Sequence, residues 1–188
     1  SLLRMEYMRK MINDLLDLTR IESGERARSM VACDLVECAR TAVDTIRPEA
    51  ESRSISLSLH PGTPVVFHAD KTEMDIIFNN LLSNAVKYNR DHGSVNVDII
   101  PDGNTVTLTV RDTGIGMTRE ECGRIFHDFI RIKNDKTTRI LGSGLGLSTV
   151  KKIALLYDGT ASVVSVPDQG STFTVILKNT DKNTATLP

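Results

Sequence analysis

Residues 94–117, "SVNVDIIPDGNTVTLTVRDTGIGM", constrain the fold more than any other stretch of the chain. Two alternating runs, "SVNVDII" and "TVTLTVR", flank the turn signal "PDGN" and predict an antiparallel hairpin with one buried face. The second strand then empties into "DTGIGM", which offers Asp112, Gly114 and Gly116 with almost no bulk to pack. A tight turn accounts for the glycines, since glycine accepts positive φ at little steric cost. It does not account for the acid in front of them, so the rest of the chain must be searched for partners of Asp112.

Upstream, Leu3, Met8, Met11, Ile12, Leu15 and Leu18 recur at three- and four-residue steps and predict an amphipathic helix ending near Ser23 and Gly24. No cap precedes Leu2, so the segment is expected to be the second half of something longer, with an apolar stripe that needs a partner helix. "CDLVECARTAVDTIRPEAESR" predicts a second helix, capped by Asp34 with Glu37 at the capping-box spacing. The strands "SISLSLH" and "VVFHAD" follow, then a long helix from about Lys71 to Tyr88. Beyond Asp112 we expect a short helix "REECGRIFHDF", a polar stretch "IKNDKTTR", the glycine cluster "GSGLGL" and a helix "STVKKIALLY". Two strands, "TASVVSV" and "STFTVILK", joined by "PDQG", complete the pattern, and the tail "NTDKNTATLP" is expected to fray. Strands and helices mix without steady βαβ alternation, which predicts an α+β fold. The expected form is a two-layer sandwich: one mixed, mostly antiparallel sheet with helices on one face, plus the N-terminal amphipathic helix.

Several function classes are disfavoured by composition. The chain has 188 residues, 40% hydrophobic and 25% charged, enough for one ordinary core. Net charge is −1 with scattered Lys and Arg, so no nucleic-acid footprint is expected. No apolar run approaches the roughly 18 residues of a membrane span, and no signal peptide is evident. Cys33, Cys38 and Cys122 form no C-x-x-C pair and suit reduced thiols in a cytosol. The histidines at 60, 68, 92 and 127 lie too far apart in sequence to suggest a zinc site.

The predicted helix over 71–88 carries a second signal. At about 100° per residue, Ile76, Asn84 and Lys87 fall within about 40° of Asn80, while Met74, Ile77, Phe78, Leu81 and Ala85 cluster on a separate face. Two asparagines at i and i+4 are poor helix formers, and a carboxamide oxygen is a hard ligand suited to Mg²⁺. "GSGLGL" lacks the lysine of a Walker loop, and Leu147 stands where G-x-G-x-x-G needs its third glycine. Glycines that open a helix can still offer free backbone N–H groups and a positive dipole end to an anion.

"NNLLSNAVKY", "DTGIGM", "FHDFIR", "GSGLGLSTVKKIA" and "GSTF" occur in this order. Together they resemble the conserved boxes of the ATP-binding domain of sensor histidine kinases, within the superfamily that includes gyrase, mismatch-repair and heat-shock chaperone ATPases. The resemblance covers about residues 34–178, and "MINDLLDLTRIESGE" is similar to the end of the second helix of a histidine kinase dimerisation domain. It implies three parts: the end of a dimerisation helix over 1–29, an ATP-binding catalytic domain over 30–180 and a tail over 181–188.

The resemblance also implies roles. Asn80 would ligate Mg²⁺, Asn84 and Lys87 would contact phosphates, and Tyr88 would pack near adenine. Asp112 would accept the adenine amine, distinguishing ATP from GTP, whose base has a carbonyl there. Gly114 and Gly116 would let the backbone pass beside the base, and Phe126 and Phe129 would anchor the base of a lid. Arg131, Lys133, Lys136 and Arg139 are candidates for γ-phosphate contacts, with Asn80, Lys87, Arg131 and Arg139 forming the expected catalytic set. Gly142, Gly144, Leu145, Gly146 and Leu147 would wrap the phosphates, and Thr172 would close the adenine pocket.

Two departures qualify the resemblance. Ile76 stands where water-activating members carry an acid, and it cannot take a proton, so hydrolysis is disfavoured relative to transfer to a histidine. No histidine sits in an H-[ED]-x-x-x-P setting, so the phosphoacceptor is expected outside these residues. The implied partners are ATP, a histidine-bearing dimerisation domain, a response-regulator receiver and a second copy through the N-terminal helix. The implied location is the cytoplasm, with membrane attachment of a parent protein left open. A non-catalytic nucleotide-binding module, an ATP hydrolase and a serine kinase of the same fold are the alternatives.

Overall fold

The computed structural model describes residues 2–24, 27–132, 135, 137, 140 and 142–179. Twelve elements run in the order α1 (Leu2–Ser23), β1 (Met30–Asp34), α2 (Leu35–Ser52), β2 (Ser56–His60), β3 (Val66–Asp70), α3 (Lys71–Lys87), β4 (Ser94–Asp102), β5 (Thr105–Asp112), α4 (Arg119–Arg124), α5 (Gly146–Leu156), β6 (Thr160–Val166) and β7 (Gly170–Lys178). Strands β2-β4-β5-β7-β6 form one sheet, antiparallel except where β2 runs parallel to β4. This is the expected α+β sandwich. The hairpin from 94 to 112 pairs Asp102 with Thr105 across its turn and Val95 with Asp112 at its far end.

The core explains the layering. Val95, Val97 and Ile99 of β4, Val106, Leu108 and Val110 of β5 and Phe173, Val175 and Leu177 of β7 alternate inward. They meet the apolar face of α3 (Met74, Ile77, Phe78, Leu81, Ala85), together with residues of α2 and α5. Each fully buried aliphatic side chain contributes about 1.5–3 kcal/mol on removal from water.

Three local details depart from expectation. Met30–Asp34 forms a strand that pairs with β3 in a separate two-stranded sheet. Alternation in so short a stretch was masked by the capping signal at Asp34. Asp34 does cap α2, accepting from the Val36 N–H at 3.0 Å, but Glu37 turns to Arg40 instead of closing a box. The box occurs at α4, between Thr118 and Glu121. That helix stops at Arg124 rather than reaching Phe129, whose φ of 61° lies outside the helical region.

α1 lies against α5. Leu18 is buried and Ile21 packs on the core, whereas Met5, Met8, Met11, Ile12 and Leu15 remain exposed. The segment that follows is fastened to α3: Arg28 forks onto Glu73 at 2.7 and 2.8 Å and lies over the Tyr157 ring, 4.6 Å from its centre. Tyr157 donates to the same carboxylate at 2.5 Å, and the Ser29 N–H donates to Asp70, the cap of α3. Among the described residues, no helix is long and apolar enough to cross a membrane.

Candidate functional site

One cleft, enclosing about 950 Å³ with open solvent included, lies between α3, the 112–117 turn, β7, the 142–147 segment and α1. Asn80, Ser83, Asn84, Lys87 and Tyr88 line one wall, so the stripe derived from helical angles is a real surface. Asp112 and Gly116 line one end and Gly142, Gly144, Gly146 and Leu147 another part.

Strand geometry fixes the Asp112 end. The acid is the last residue of β5 and is 6% exposed. Its Oδ1 accepts from the Gly114 N–H at 2.8 Å and the Ser171 N–H at 3.3 Å. Both bonds fall on one oxygen, which orients the carboxylate and leaves Oδ2 for the cleft. Burial pushes the carboxyl up from 3.8 to about 6, although those two N–H groups pull it down. The turn itself is clamped: Ile115 donates to the Tyr88 carbonyl, Asp168 donates to the Ile115 carbonyl, and Met117 donates to Ser165. Gly116 has φ 64°, and a Cβ there would collide with the Val166 carbonyl.

A different chemistry occupies the α3 wall. Asn80 donates through Nδ2 to the Ile76 carbonyl at 2.9 Å, and its Oδ1 faces Gly146 so closely that a Cβ on that glycine would strike it. The pinned amide nitrogen thus leaves an oxygen directed at the glycine segment. Burial, joined by repulsion from Lys10 and Arg131, lowers the Lys87 ammonium to about 8, although Glu49 and Asp14 pull it up. Arg131 donates one guanidinium nitrogen to the Ile140 carbonyl, and its buried Nε has no partner among the described residues. Three cations thus stand at one end of a cleft that Asp14 also lines there, a positive excess that suits an anion.

Several expected site residues are placed elsewhere. Thr172 does not line the cleft: strand alternation turns it to the opposite sheet face, and its neighbours Ser171 and Phe173 line the cleft instead. Gly114 makes room for the Tyr88 carbonyl rather than for a ligand. Leu145 is fully buried beneath the segment, where its carbonyl accepts from Ser148 and Thr149. Phe129 is 59% exposed and touches the glycine segment through its backbone, beside Gly144. Phe126 packs on the core, edge-on to Phe173 with ring centres 6.4 Å apart. Ile76 falls off the cleft wall into a smaller hollow shared with Ile21 and Arg28. Lys133, Lys136 and Arg139 lie outside the described residues.

Other lining residues were missed. Ser83 sits three residues from Asn80 on the same stripe, a spacing that could have revealed it. Ile115, Met117, Ile125 and Ile130 supply apolar wall, and isolated aliphatics carry no positional signal. Lys10 and Asp14 reach the cleft from α1, which nothing local in the sequence could indicate.

A family model described as histidine kinase-, DNA gyrase B- and HSP90-like ATPase matches residues 69–181. The alginate biosynthesis sensor protein KinB of Pseudomonas aeruginosa is 32% identical over 168 residues, 89% of this chain and 28% of that protein. The circadian input-output histidine kinase CikA of Synechococcus elongatus is 34% identical over 173 residues, 90% of this chain and 23% of that protein. The chain therefore spans about a quarter of the length of these curated relatives. Among solved structures, full-length ShkA in complex with AMPPNP superposes with a TM-score of 0.77 at 26% identity, over 89% of this chain and 35% of that one. The Acinetobacter baumannii histidine kinase AdeS superposes at 0.76 with 19% identity, over 94% of this chain and 81% of that one, a likeness of fold. With the family model matched over more than half its length, the chain belongs to the histidine kinase-, DNA gyrase B- and HSP90-like ATPases.

Proposed function

We propose that the chain is the nucleotide-binding catalytic part of a two-component sensor histidine kinase. It binds ATP with Mg²⁺ and delivers the γ-phosphate to a histidine of a dimerisation domain, from which a response-regulator receiver takes it. The observation that carries this reading is the single cleft with an oriented, buried acid at one end and an amide, lysine and glycine wall at the other. Asp112 Oδ2 accepts the adenine amine, and guanine, with a carbonyl there, is rejected because two acceptors face each other. Lys87, Asn84 and the Arg131 guanidinium meet the phosphates, and Gly142, Gly144 and Gly146 let the tail approach the start of α5.

The Asn80 oxygen fits Mg²⁺, a hard cation that takes one or two protein oxygens and fills its shell with phosphates and water. No cluster of three His, Cys, Asp or Glu side chains suited to a metal occurs among the described residues. Asn80 would hold the ion, which would supply positive charge against that developing on the phosphoryl group during transfer. The chain's own part is positioning and charge neutralisation. Ile76 supplies no base to a water, which favours an acceptor that brings its own nucleophilic nitrogen.

In this reading residues 1–29 end a dimerisation helix, and the exposed Met8, Met11, Ile12 and Leu15 face a second copy. The test is incubation with γ-labelled ATP and a histidine-bearing dimerisation domain supplied in trans. Acid-labile label on that domain is the expected result. Rapid release of free phosphate by this chain alone, with no transfer, overturns the proposal in favour of a hydrolase.

A further inference from the structure

α1 enters the cleft that it borders. Lys10 and Asp14, one helical turn apart, line its loop end, and neither is among the groups that shift Asp112. Ser143, between Gly142 and Gly144, donates to Asp14 Oδ2 at 2.5 Å. Lys87 stands close enough to be attracted by Asp14 and repelled by Lys10. A second tie lies further along the helix, where Lys152 of α5 binds Glu22 at 2.6 Å and Asp128 at 3.0 Å. α1 is thus tied to Ser143 directly and to Asp128 through Lys152.

We infer that Asp14 is a specificity-determining residue for phosphate-tail length, disfavouring a nucleoside triphosphate relative to a diphosphate while α1 is docked. The inference rests on the nucleotide reading above. A carboxylate and a phosphate are both acceptors, so Asp14 makes no hydrogen bond to the tail and competes with it for Ser143 and Lys87. The bond to Ser143 pins this charge in place, whereas the exposed Lys10 ammonium swings on a flexible stem. Each further phosphate adds about one negative charge, so the repulsion grows with the tail. Linkage makes the effect reciprocal: a triphosphate in the cleft weakens the docking of α1, and release of α1 strengthens triphosphate binding.

Calorimetry with AMPPNP and ADP, each with Mg²⁺, on the full chain and its variants provides the test. Asp14→Asn keeps an oxygen for Ser143 while removing the charge, so docking persists and only the repulsion is lost. The expected result is a three- to tenfold fall in the AMPPNP-to-ADP ratio of dissociation constants, of the order a screened charge pair supplies. Asp14→Ala moves the ratio in the same direction, Lys10→Ala moves it the opposite way, and 0.5 M salt shrinks all three shifts. An unchanged ratio, or equal tightening of both nucleotides, overturns the role of Asp14 and leaves the nucleotide reading intact. A common direction for Asp14→Asn and Lys10→Ala also overturns it, since that marks loss of docking rather than of charge. Failure of the unaltered chain to bind either nucleotide overturns the nucleotide reading itself.

Discussion

At the Asp112 end of the cleft, the groups that fix the acid come from paired strands and the turn clamped between them: Gly114, Ser171 and the Ile115 bonds to Tyr88 and Asp168. At the glycine end, the described residues 142–145 form neither strand nor helix, and Ser143 among them donates to Asp14 of α1. The first end suits a flat, neutral base whose identity must be checked. The second suits a flexible, charged tail that changes length during a phosphoryl transfer. Specific hydrogen bonding to a base needs preorganised partners, whereas charge attraction tolerates movement of an ångström or two.

The largest predicted effect sets one glycine of each end against the other. Gly116→Ala introduces a Cβ at positive φ against the Val166 carbonyl, in a turn bonded on both sides, and should cost roughly 3 kcal/mol in thermal unfolding. Gly144→Ala meets the Phe129 backbone at 2.8 Å, also at positive φ, but in a short segment outside the strands and helices. It should lose under about 1 kcal/mol of global stability while weakening AMPPNP binding about tenfold. Equal losses of stability for the two variants would break the contrast.

Next in size is Asp112→Asn, measured by calorimetry and by melting. Replacing the acceptor should weaken AMPPNP binding by roughly 10- to 100-fold, the range for a charge-assisted hydrogen bond. Stability should move the other way. The carboxyl is raised from 3.8 to about 6 in the fold, so the stability it contributes is complete below 3.8 and lost as pH rises through about 6. At neutral pH the ionised acid therefore costs up to about 3 kcal/mol, and the asparagine variant should melt higher there and lose that advantage near pH 4. For the unaltered chain, binding should fall below about pH 6 as Asp112 takes up its proton and above about pH 8 as Lys87 loses its own. A profile flat from pH 5 to 9 would contradict both assignments.

The smallest effect concerns the surface tie of α1. Lys152→Ala removes partly exposed bonds to Glu22 and Asp128 and should change the melting free energy by less than about 1 kcal/mol, less still at high salt. A loss comparable to that of Gly116→Ala would mean that α1 belongs to the core.

What the sequence discloses divides along the same line. Periodicity alone placed the 94–112 hairpin, the long helix and the stripe of Asn80, Asn84 and Lys87, because each is a repeating pattern set by local geometry. The same rule, applied to "GSTF", would have chosen Ser171 and Phe173 over Thr172, since alternate residues of β7 share a face. Phe129 and Leu145 do not line the cleft, because their side chains answer to loop backbone and core space that no period encodes. Asp14 and Lys10 were invisible for a further reason: they join the site only through the packing of α1, more than a hundred residues from Ser143 in sequence.

The knot of Arg28, Glu73, Tyr157 and Asp70 fastens the chain to α3 five residues after α1 ends at Ser23. Asp14 lies about nine residues, roughly 14 Å, up α1 from Ser23. A tilt of about 10° there carries Asp14 roughly 2 Å, enough to part it from Ser143. Any rocking of that helix would become a step at the mouth of the cleft, with a leverage that grows with helix length.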